Sequence, residues 1–260
     1  MELQKNHFRH AIKNNTLQLG LWTQLGSYIA AEILSGCGYD FIGLDAEHGP
    51  SEYIEIYSQL QACAAGGPTQ PIVRIPNHDI SLIKRYLDAG VNTLMVPQVD
   101  TVEQAKTLVS AVRYPPRGVR GYCGAPRASG FGRIKDYATT CEEEICLIVM
   151  PETTLALENI EAMAAIDGID AFFIGPGDLA ASLGYIGQPM HPEVIKVIEE
   201  TGRRIKAAGR IKAAGKAVGI LCTDEAQTRR YIELGFQMIA IGSDQGLLTK
   251  GAEQLLAKFR

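Results

Sequence analysis

Eight short apolar segments, separated by longer amphipathic stretches, constrain the fold of this chain more than any other feature. They begin at Leu17, Phe41, Gln70, Thr93, Leu147, Ala171, Ala217 and Met238. Each is apolar throughout, which is typical of parallel strands covered on both faces. Eight strand–helix units in 260 residues predict an α/β fold, a (β/α)8 TIM barrel, with a doubly wound sheet as the alternative. We expect residues 1–260 to form one barrel domain.

The stretches between the apolar segments carry helix signals. "SYIAAEILSGCG" and "ISLIKRYLDAG" end in glycine, the residue that most often follows a helix C-terminus. Asp79 and the pair Asp100 and Thr101 precede helical patterns and are predicted N-caps. The sequence therefore predicts a helix after each of these strands.

Composition limits the classes of partner. The net charge is -4 and the pI about 5.8, so there is no electrostatic reason to bind nucleic acid or an anionic membrane. The six cysteines are scattered without a CxxC pair, so neither a disulfide framework nor a thiolate zinc site is expected. A polar N-terminal stretch and the lack of a long apolar run predict a cytoplasmic protein that acts on small molecules.

Two segments depart from the strand–helix pattern. Residues 115–135 carry Gly, Pro and Arg without a period, and such a loop is usually functional or mobile, a disordered surface excursion being the alternative. In "RIKAAGRIKAAGK", residues 204–209 are repeated as 210–215. A continuous helix would turn its apolar face away from the sheet, because six residues make about 1.7 turns. We expect an added turn or bulge on the N-terminal rim, with little effect on chemistry.

Polar side chains collect where the predicted strands end. They are Asp45, Glu47, His48, Arg74, Glu152 and Asp178. In a barrel the carboxyl ends of the strands surround one pocket, and residues there are the first candidates for function. These charges are tolerable after apolar strands because they face a shared, solvated cavity.

Two carboxylates in this set suggest a metal site. Glu152 and Asp178 end consecutive strands, and neighbouring strands lie about 4.8 Å apart. Such a pair either shares a proton or binds a divalent cation such as Mg²⁺, Mn²⁺ or Co²⁺. The alternative is that each carboxylate caps a loop or pairs with an arginine. No lysine ends a predicted strand, so an imine mechanism lacks its nucleophile.

The other polar residues suggest acid–base and anion chemistry. His48 is a candidate general base, with Asp45 holding its tautomer through the other ring nitrogen. Alternation places these two residues on opposite faces, so the chain must leave strand geometry after about Asp45. Arg74 is a fixed cation for an enolate or a carboxylate, or else pairs with Glu47 or Asp45. The "GPGD" segment can present backbone N–H groups to an anion.

The motifs "DAEHGP", "VRIP", "RYPPRGVRG", "RAS", "PET", "FIGPGDLAASLGYIGQPMHPEV" and "GIL" occur in this order. They resemble the HpcH/HpaI family of metal-dependent pyruvate aldolases, of the 4-hydroxy-2-oxoheptanedioate and 2-keto-3-deoxy sugar acid type. The resemblance extends from about Leu17 to the C-terminus. It implies a (β/α)8 barrel and a hexamer, a trimer of dimers that exchange their C-terminal helices. It also implies a divalent metal on Glu152 and Asp178, chelated by the keto and carboxylate oxygens of pyruvate.

The resemblance also implies roles for single residues. His48 with Asp45 would be the acid–base pair, Arg74 would stabilise the enolate, and Glu47 would contact a water bound to the metal. The backbone amides of Gly177 and Asp178 would hold the pyruvate carboxylate. Asp88 would reach the aldehyde end of the substrate from an adjacent subunit, and Leu221 would line the acceptor pocket.

The chain departs from the family pattern beside the predicted metal site. Met150 stands where relatives usually have Gln, and Pro151 replaces an aliphatic residue. Loss of that amide would weaken pyruvate binding or alter the donor. The segment 121–132, "GYCGAPRASGFG", is shorter than its usual counterpart and would reshape the pocket mouth, although Arg127 is retained.

The predicted activity is the reversible retro-aldol cleavage of 4-hydroxy-2-oxo acids to pyruvate and an aldehyde. A bound cation and Arg74 would compensate the enolate charge. One alternative is a lyase or synthase with a keto-acid acceptor, of the citrate-forming type, for which Arg127 is the available cation. The other is a catalytically silent metabolite-binding barrel, against which the intact polar set argues.

Overall fold

The computed structural model describes residues 1–211 and 216–260. Its eight strands form a closed parallel barrel in chain order, with β8 paired to β1. The strands are β1 (Gln18–Thr23), β2 (Phe41–Asp45), β3 (Gln70–Arg74), β4 (Thr93–Val96), β5 (Cys146–Val149), β6 (Ala171–Ile174), β7 (Ala217–Leu221) and β8 (Met238–Ser243). Each of the eight predicted apolar segments overlaps one of these strands, and only β5 begins earlier than predicted, by one residue. The barrel prediction is therefore confirmed and the doubly wound sheet is excluded.

Helices follow the strands around the outside of the barrel. They are α1 (His7–Lys13), α2 (Tyr28–Ser35), α3 (Tyr53–Gly66), α4 (Ile80–Asp88), α5 (Val102–Ala111), α6 (Tyr137–Thr140), α7 (Thr154–Glu158), α8 (Ile160–Ala164), α9 (Pro176–Ser182), α10 (Pro192–Ile211), α11 (Glu225–Glu233) and α12 (Asp244–Ala257). The predicted caps Asp79 and Thr101 accept hydrogen bonds from the first turns of α4 and α5. Among the described residues, no helix is both long enough and apolar enough to cross a membrane.

The side chains of β2 show why the strands are apolar on both faces. Ile42 and Leu44 pack outward against the helices, whereas Phe41 packs inside the barrel. Gly43 has no side chain on the inner face, and a Cβ there would lie 2.6 Å from the Trp22 ring. The barrel interior is therefore a packed core, and helix α1 closes its N-terminal end with Phe8.

The loop between α5 and β5 is anchored by a buried arginine. Arg120 is 0% exposed and donates to Asp88 Oδ1 at 3.0 Å and to the Tyr137 hydroxyl at 3.2 Å. Its guanidinium also lies over the Tyr114 ring, 4.4 Å from the centroid. The structure does not support the alternative of a disordered excursion over 115–135, because the buried Arg120 fixes this loop to α4.

The sequence duplication begins inside α10, which continues through residues 204–209 and reaches Ile211. The turn or bulge predicted for the second copy, 210–215, lies mostly outside the described residues. The described part of the duplication precedes β7, on the side of the barrel where strands begin.

Candidate active site

The predicted functional side chains continue the inward phase of their strands. Asp45 follows Phe41 and Gly43 on the inner face of β2, and Arg74 follows Ile72 on β3. Asp45 and Arg74 are also register partners across the β2–β3 ladder. The inner face of the barrel thus changes from apolar to charged in its last layer, at the carboxyl ends of the strands.

Asp45 and Arg74 form a buried, two-pronged ion pair. Arg74 Nε donates to Asp45 Oδ1 at 2.9 Å and Nη2 donates to Oδ2 at 2.6 Å. The indole N–H of Trp22 and the amide of Gln24 also donate to Oδ2, at 3.1 and 3.0 Å. Burial raises the pKa of Asp45, but the hydrogen bonds and charge of Arg74, with Trp22 and the His48 N–H, bring the pKa below its ordinary value. Asp45 is therefore a fixed anion that orients the guanidinium.

Glu47 lies between Arg74 and His48. Its Oε2 is 2.9 Å from Arg74 Nη1 and 3.8 Å from His48 Nε2. Burial raises the pKa of Glu47, and the charges of Asp45 and Asp178 add to this effect, whereas those of Arg74 and His48 oppose it. Arg74 thus forms ion pairs with both Asp45 and Glu47, the two partners that the sequence analysis named as alternatives to a substrate anion.

The His48 ring is arranged differently from the prediction. The side chain is 58% exposed at the pocket, and the chain leaves strand geometry after Asp45, as predicted. Asp45 Oδ1 accepts the backbone N–H groups of Glu47 and His48, at 3.0 and 3.2 Å. In the part of the chain that the structure describes, the imidazole is not among the hydrogen-bond partners of Asp45. The carboxylate nearest to Nε2 is Glu47, because the tight turn after β2 directs backbone amides at Asp45.

Glu152 is the most unusual carboxylate of the site. It is 1% exposed, and its Oε1 accepts the backbone N–H of Gln98 at 2.7 Å. Its Oε2 is buried and has no hydrogen-bond donor among the described residues. Burial raises the pKa of Glu152 to about 7, and the charges of Asp178 and Glu47 act in the same direction. A buried acceptor without a donor is costly unless a cation or a proton occupies it.

Asp178 lies at the pocket end of α9, in the first turn of the helix. Its charge raises the pKa of both Glu152 and Glu47, so the three carboxylates face one region. Gly177 is exposed beside it, with no atom within 4 Å of a Cβ built there. No group of three or more His, Cys, Asp and Glu side chains forms a metal-ligand set within residues 1–211 and 216–260. The predicted metal site consists of two carboxylates, those of Glu152 and Asp178.

Other predicted contact residues lie elsewhere in the chain. Leu221 ends β7 and packs at the edge of the barrel interior, on the side of the site. Asp88 ends α4 and pairs with Arg120, at the opposite end of the barrel. Arg127 donates to the Ala89 carbonyl at 2.6 Å, at that same end. The loop 121–132 precedes β5, so it does not border the pocket mouth of its own chain.

The structure adds site residues that the sequence analysis missed. Trp22 is the single tryptophan of the chain, and its ring lies 5.0 Å from the Arg74 guanidinium carbon. Trp22 could have been predicted as a site residue, because it is an inward-facing residue near the end of β1, two positions before Gln24. Gln98 takes part through its backbone, for which the sequence carries no signal. Met150 is 2% exposed and packs inside the barrel below the carboxylates.

Comparison with known proteins identifies the family of the chain. Residues 18–251 match the family model described as HpcH/HpaI aldolase/citrate lyase. The chain belongs to the HpcH/HpaI aldolase/citrate lyase family. It is 47% identical to a pyruvate aldolase of Rhizobium etli, covering 100% of this chain and 99% of the relative. It is 48% identical to a hydroxypyruvate/pyruvate aldolase of Deinococcus radiodurans, covering 98% and 90%.

A solved structure confirms the fold at high similarity. It is a HpcH/HpaI aldolase/citrate lyase family protein from Burkholderia cenocepacia, with a TM-score of 0.91 at 39% identity over 98% of this chain and 100% of that chain. Family membership and the aldolase relatives together make this protein a carbon–carbon lyase.

Proposed function

We propose that this protein is a divalent-metal-dependent aldolase that reversibly cleaves 4-hydroxy-2-oxo acids to pyruvate, or a close analogue, and an aldehyde. The observation that supports this most directly is the buried Oε2 of Glu152, which has no donor among the described residues and lies near the charge of Asp178. The two relatives named as pyruvate and hydroxypyruvate/pyruvate aldolases agree with this product.

The donor atoms fit a hard divalent cation. Glu152 Oε2 and the exposed carboxylate of Asp178 are oxygen ligands, which suit Mg²⁺, Mn²⁺ or Co²⁺. When bound, such a cation supplies positive charge where the enolate develops. Oε1 stays on the Gln98 N–H, so the chain fixes one carboxylate oxygen and leaves the other for the metal.

Arg74 would stabilise the same charge from the protein side. Breaking the C3–C4 bond of the substrate leaves an enolate next to a carboxylate, so two negative charges lie close together. The ion pairs with Asp45 and Glu47 hold the guanidinium in place before the reaction, so its orientation costs nothing during the step. Remaining N–H groups of Arg74 can face the substrate oxygens.

His48 would act as the base. Its exposed ring can take the proton of the C4 hydroxyl, whereupon the C3–C4 electron pair forms the enolate and the aldehyde leaves. Uptake of one proton at C3 then yields pyruvate and balances the proton that His48 removed. Glu47 is the carboxylate placed to orient the ring and to stabilise its charged form, a role that the sequence analysis gave to Asp45.

The test is pyruvate release from 4-hydroxy-2-oxo acids, followed with a coupled lactate dehydrogenase assay. We expect turnover that EDTA abolishes and that Mg²⁺, Mn²⁺ or Co²⁺ restores. Turnover that persists in EDTA would refute the metal mechanism. Absence of turnover with every aldol and metal would refute the aldolase proposal and favour the keto-acid acceptor or the silent barrel.

We also propose that α12 is exchanged between subunits of a hexamer. Residues 245–260 are almost all exposed, including apolar side chains that a lone barrel leaves in water. These are Leu247, Leu248, Leu255, Leu256 and Phe259. A helix with this composition gains stability by packing on a second copy. The cytoplasmic location stays a prediction.

A further inference from the structure

One peptide group, between Pro97 and Gln98, connects a histidine outside the proposed machinery to the carboxylate of Glu152. The Pro97 carbonyl oxygen lies 2.6 Å from His78 Nε2. The N–H of the same peptide donates to Glu152 Oε1 at 2.7 Å. His78 is half-buried in the loop between β3 and α4, and it does not belong to the charged cluster. Both ends of this peptide dipole are therefore held.

The backbone at this peptide is strained. Gln98 has a φ of 51°, in the left-handed region that a residue with a Cβ seldom adopts. Met150 anchors the chain on both sides, donating to the Val96 carbonyl at 2.9 Å and accepting from the Val99 N–H at 3.1 Å. Such a conformation persists only where the surroundings over-determine it.

A flip of this peptide would reverse its effect on Glu152. Rotation of the peptide plane between the anchored residues Val96 and Val99 would relieve the φ of Gln98. It would also turn the carbonyl oxygen toward the carboxylate, replacing an attraction with a repulsion. The His78 hydrogen bond is lost in the flipped state, so it favours the native orientation. By polarising the amide it also strengthens the N–H as a donor.

We propose that His78 is a positioning residue, which holds the Pro97–Gln98 peptide so that Glu152 keeps Oε1 bound and Oε2 free for the cation. The inference rests on the proposed metal-dependent function. It requires Nε2 of His78 to carry the proton, because a carbonyl oxygen accepts only. Contacts that orient a metal ligand are commonly worth 10-fold to 100-fold in metal affinity.

The experiment compares Mn²⁺ affinity, measured from the EPR signal of free Mn²⁺, in the full-length protein and three variants. His78→Leu keeps the bulk and removes the donor, whereas His78→Gln supplies an amide N–H that can reach the carbonyl. His10→Leu is the matched control, because His10 is exposed on α1 at the other end of the barrel. Trp22 fluorescence reports folding at the site in each variant.

We expect His78→Leu to bind Mn²⁺ about 10-fold to 100-fold more weakly, with kcat recovering at saturating metal. His78→Gln should stay within about threefold of the unmodified protein, and His10→Leu should match it. Equal affinity in His78→Leu, or equal weakness in His78→Gln, would overturn the role of this hydrogen bond. An unmodified protein that binds no Mn²⁺ would overturn the metal site and this inference together.

Discussion

Gly175→Ala tests whether the Glu152 carboxylate is seated where the structure places it. A Cβ at Gly175 would lie 2.1 Å from Glu152 Oε2, whereas ordinary carbon–oxygen contacts begin at about 3.3 Å. The backbone at this position, φ -82° and ψ 99°, accepts alanine without strain. The methyl group must therefore displace the carboxylate by roughly 1 Å. Disturbing the seating of a metal ligand commonly lowers metal affinity by about 10-fold to 100-fold.

The expected result is a folded protein with a defective metal site. Overpacking should lower the free energy of unfolding by about 1–3 kcal/mol, and the melting temperature by roughly 2–4 °C for each kcal/mol. Mn²⁺ affinity should fall by about 10-fold to 100-fold in an isothermal titration. Gly124→Ala is the control, because Gly124 is exposed and a Cβ there would lie 3.8 Å from the Tyr122 hydroxyl, an ordinary van der Waals contact. Unchanged Mn²⁺ affinity in Gly175→Ala would show that the Glu152 carboxylate does not bind the cation from beside Gly175.

Three further predictions follow. His48→Ala should lower kcat by about 100-fold or more while Mn²⁺ binds normally, and unaltered turnover would take the base role from His48. Arg120→Met should lower the free energy of unfolding, measured in urea, by roughly 2–4 kcal/mol, because it leaves the charge of Asp88 unpaired at a position only 23% exposed. The control Arg229→Ala, in an exposed ion pair, should lower it by under about 1 kcal/mol. Leu248→Glu on α12 should reduce the oligomer mass in light scattering, and an unchanged mass would exclude that face from the interface.

Much of the site could be predicted from the sequence, because its functional side chains occupy the same inward-facing positions as the apolar residues before them on each strand. Asp45, Arg74 and Glu152 each occupy the next inward position after apolar inward residues, so their convergence follows from barrel closure alone. Strand positions and barrel closure were therefore enough to predict one pocket lined by these side chains, without knowledge of any contact between them.

The hydrogen-bond and ion-pair partners within the pocket could not be predicted as well from the sequence. The sequence analysis linked Asp45 to the His48 ring, whereas the turn after β2 directs two backbone N–H groups at Asp45 and leaves Glu47 nearest to Nε2. Sequence spacing fixes which side chains reach the pocket, but rotamers and loop dihedrals decide which atoms meet. Arg127 shows the same limit, because its loop packs beside Ala89 at the other end of the barrel.

Hydrophobic periodicity and chain order are local properties, so they were sufficient to predict the eight-stranded barrel, its helices and the charged layer where the strands end. Three features required the three-dimensional arrangement: Glu152 keeps one oxygen without a donor among the described residues, Gln98 contributes a backbone N–H, and Arg120 fixes a long loop. Those outcomes depend on the dihedral angles of a few residues and on contacts between atoms far apart in the chain. No local pattern encodes them.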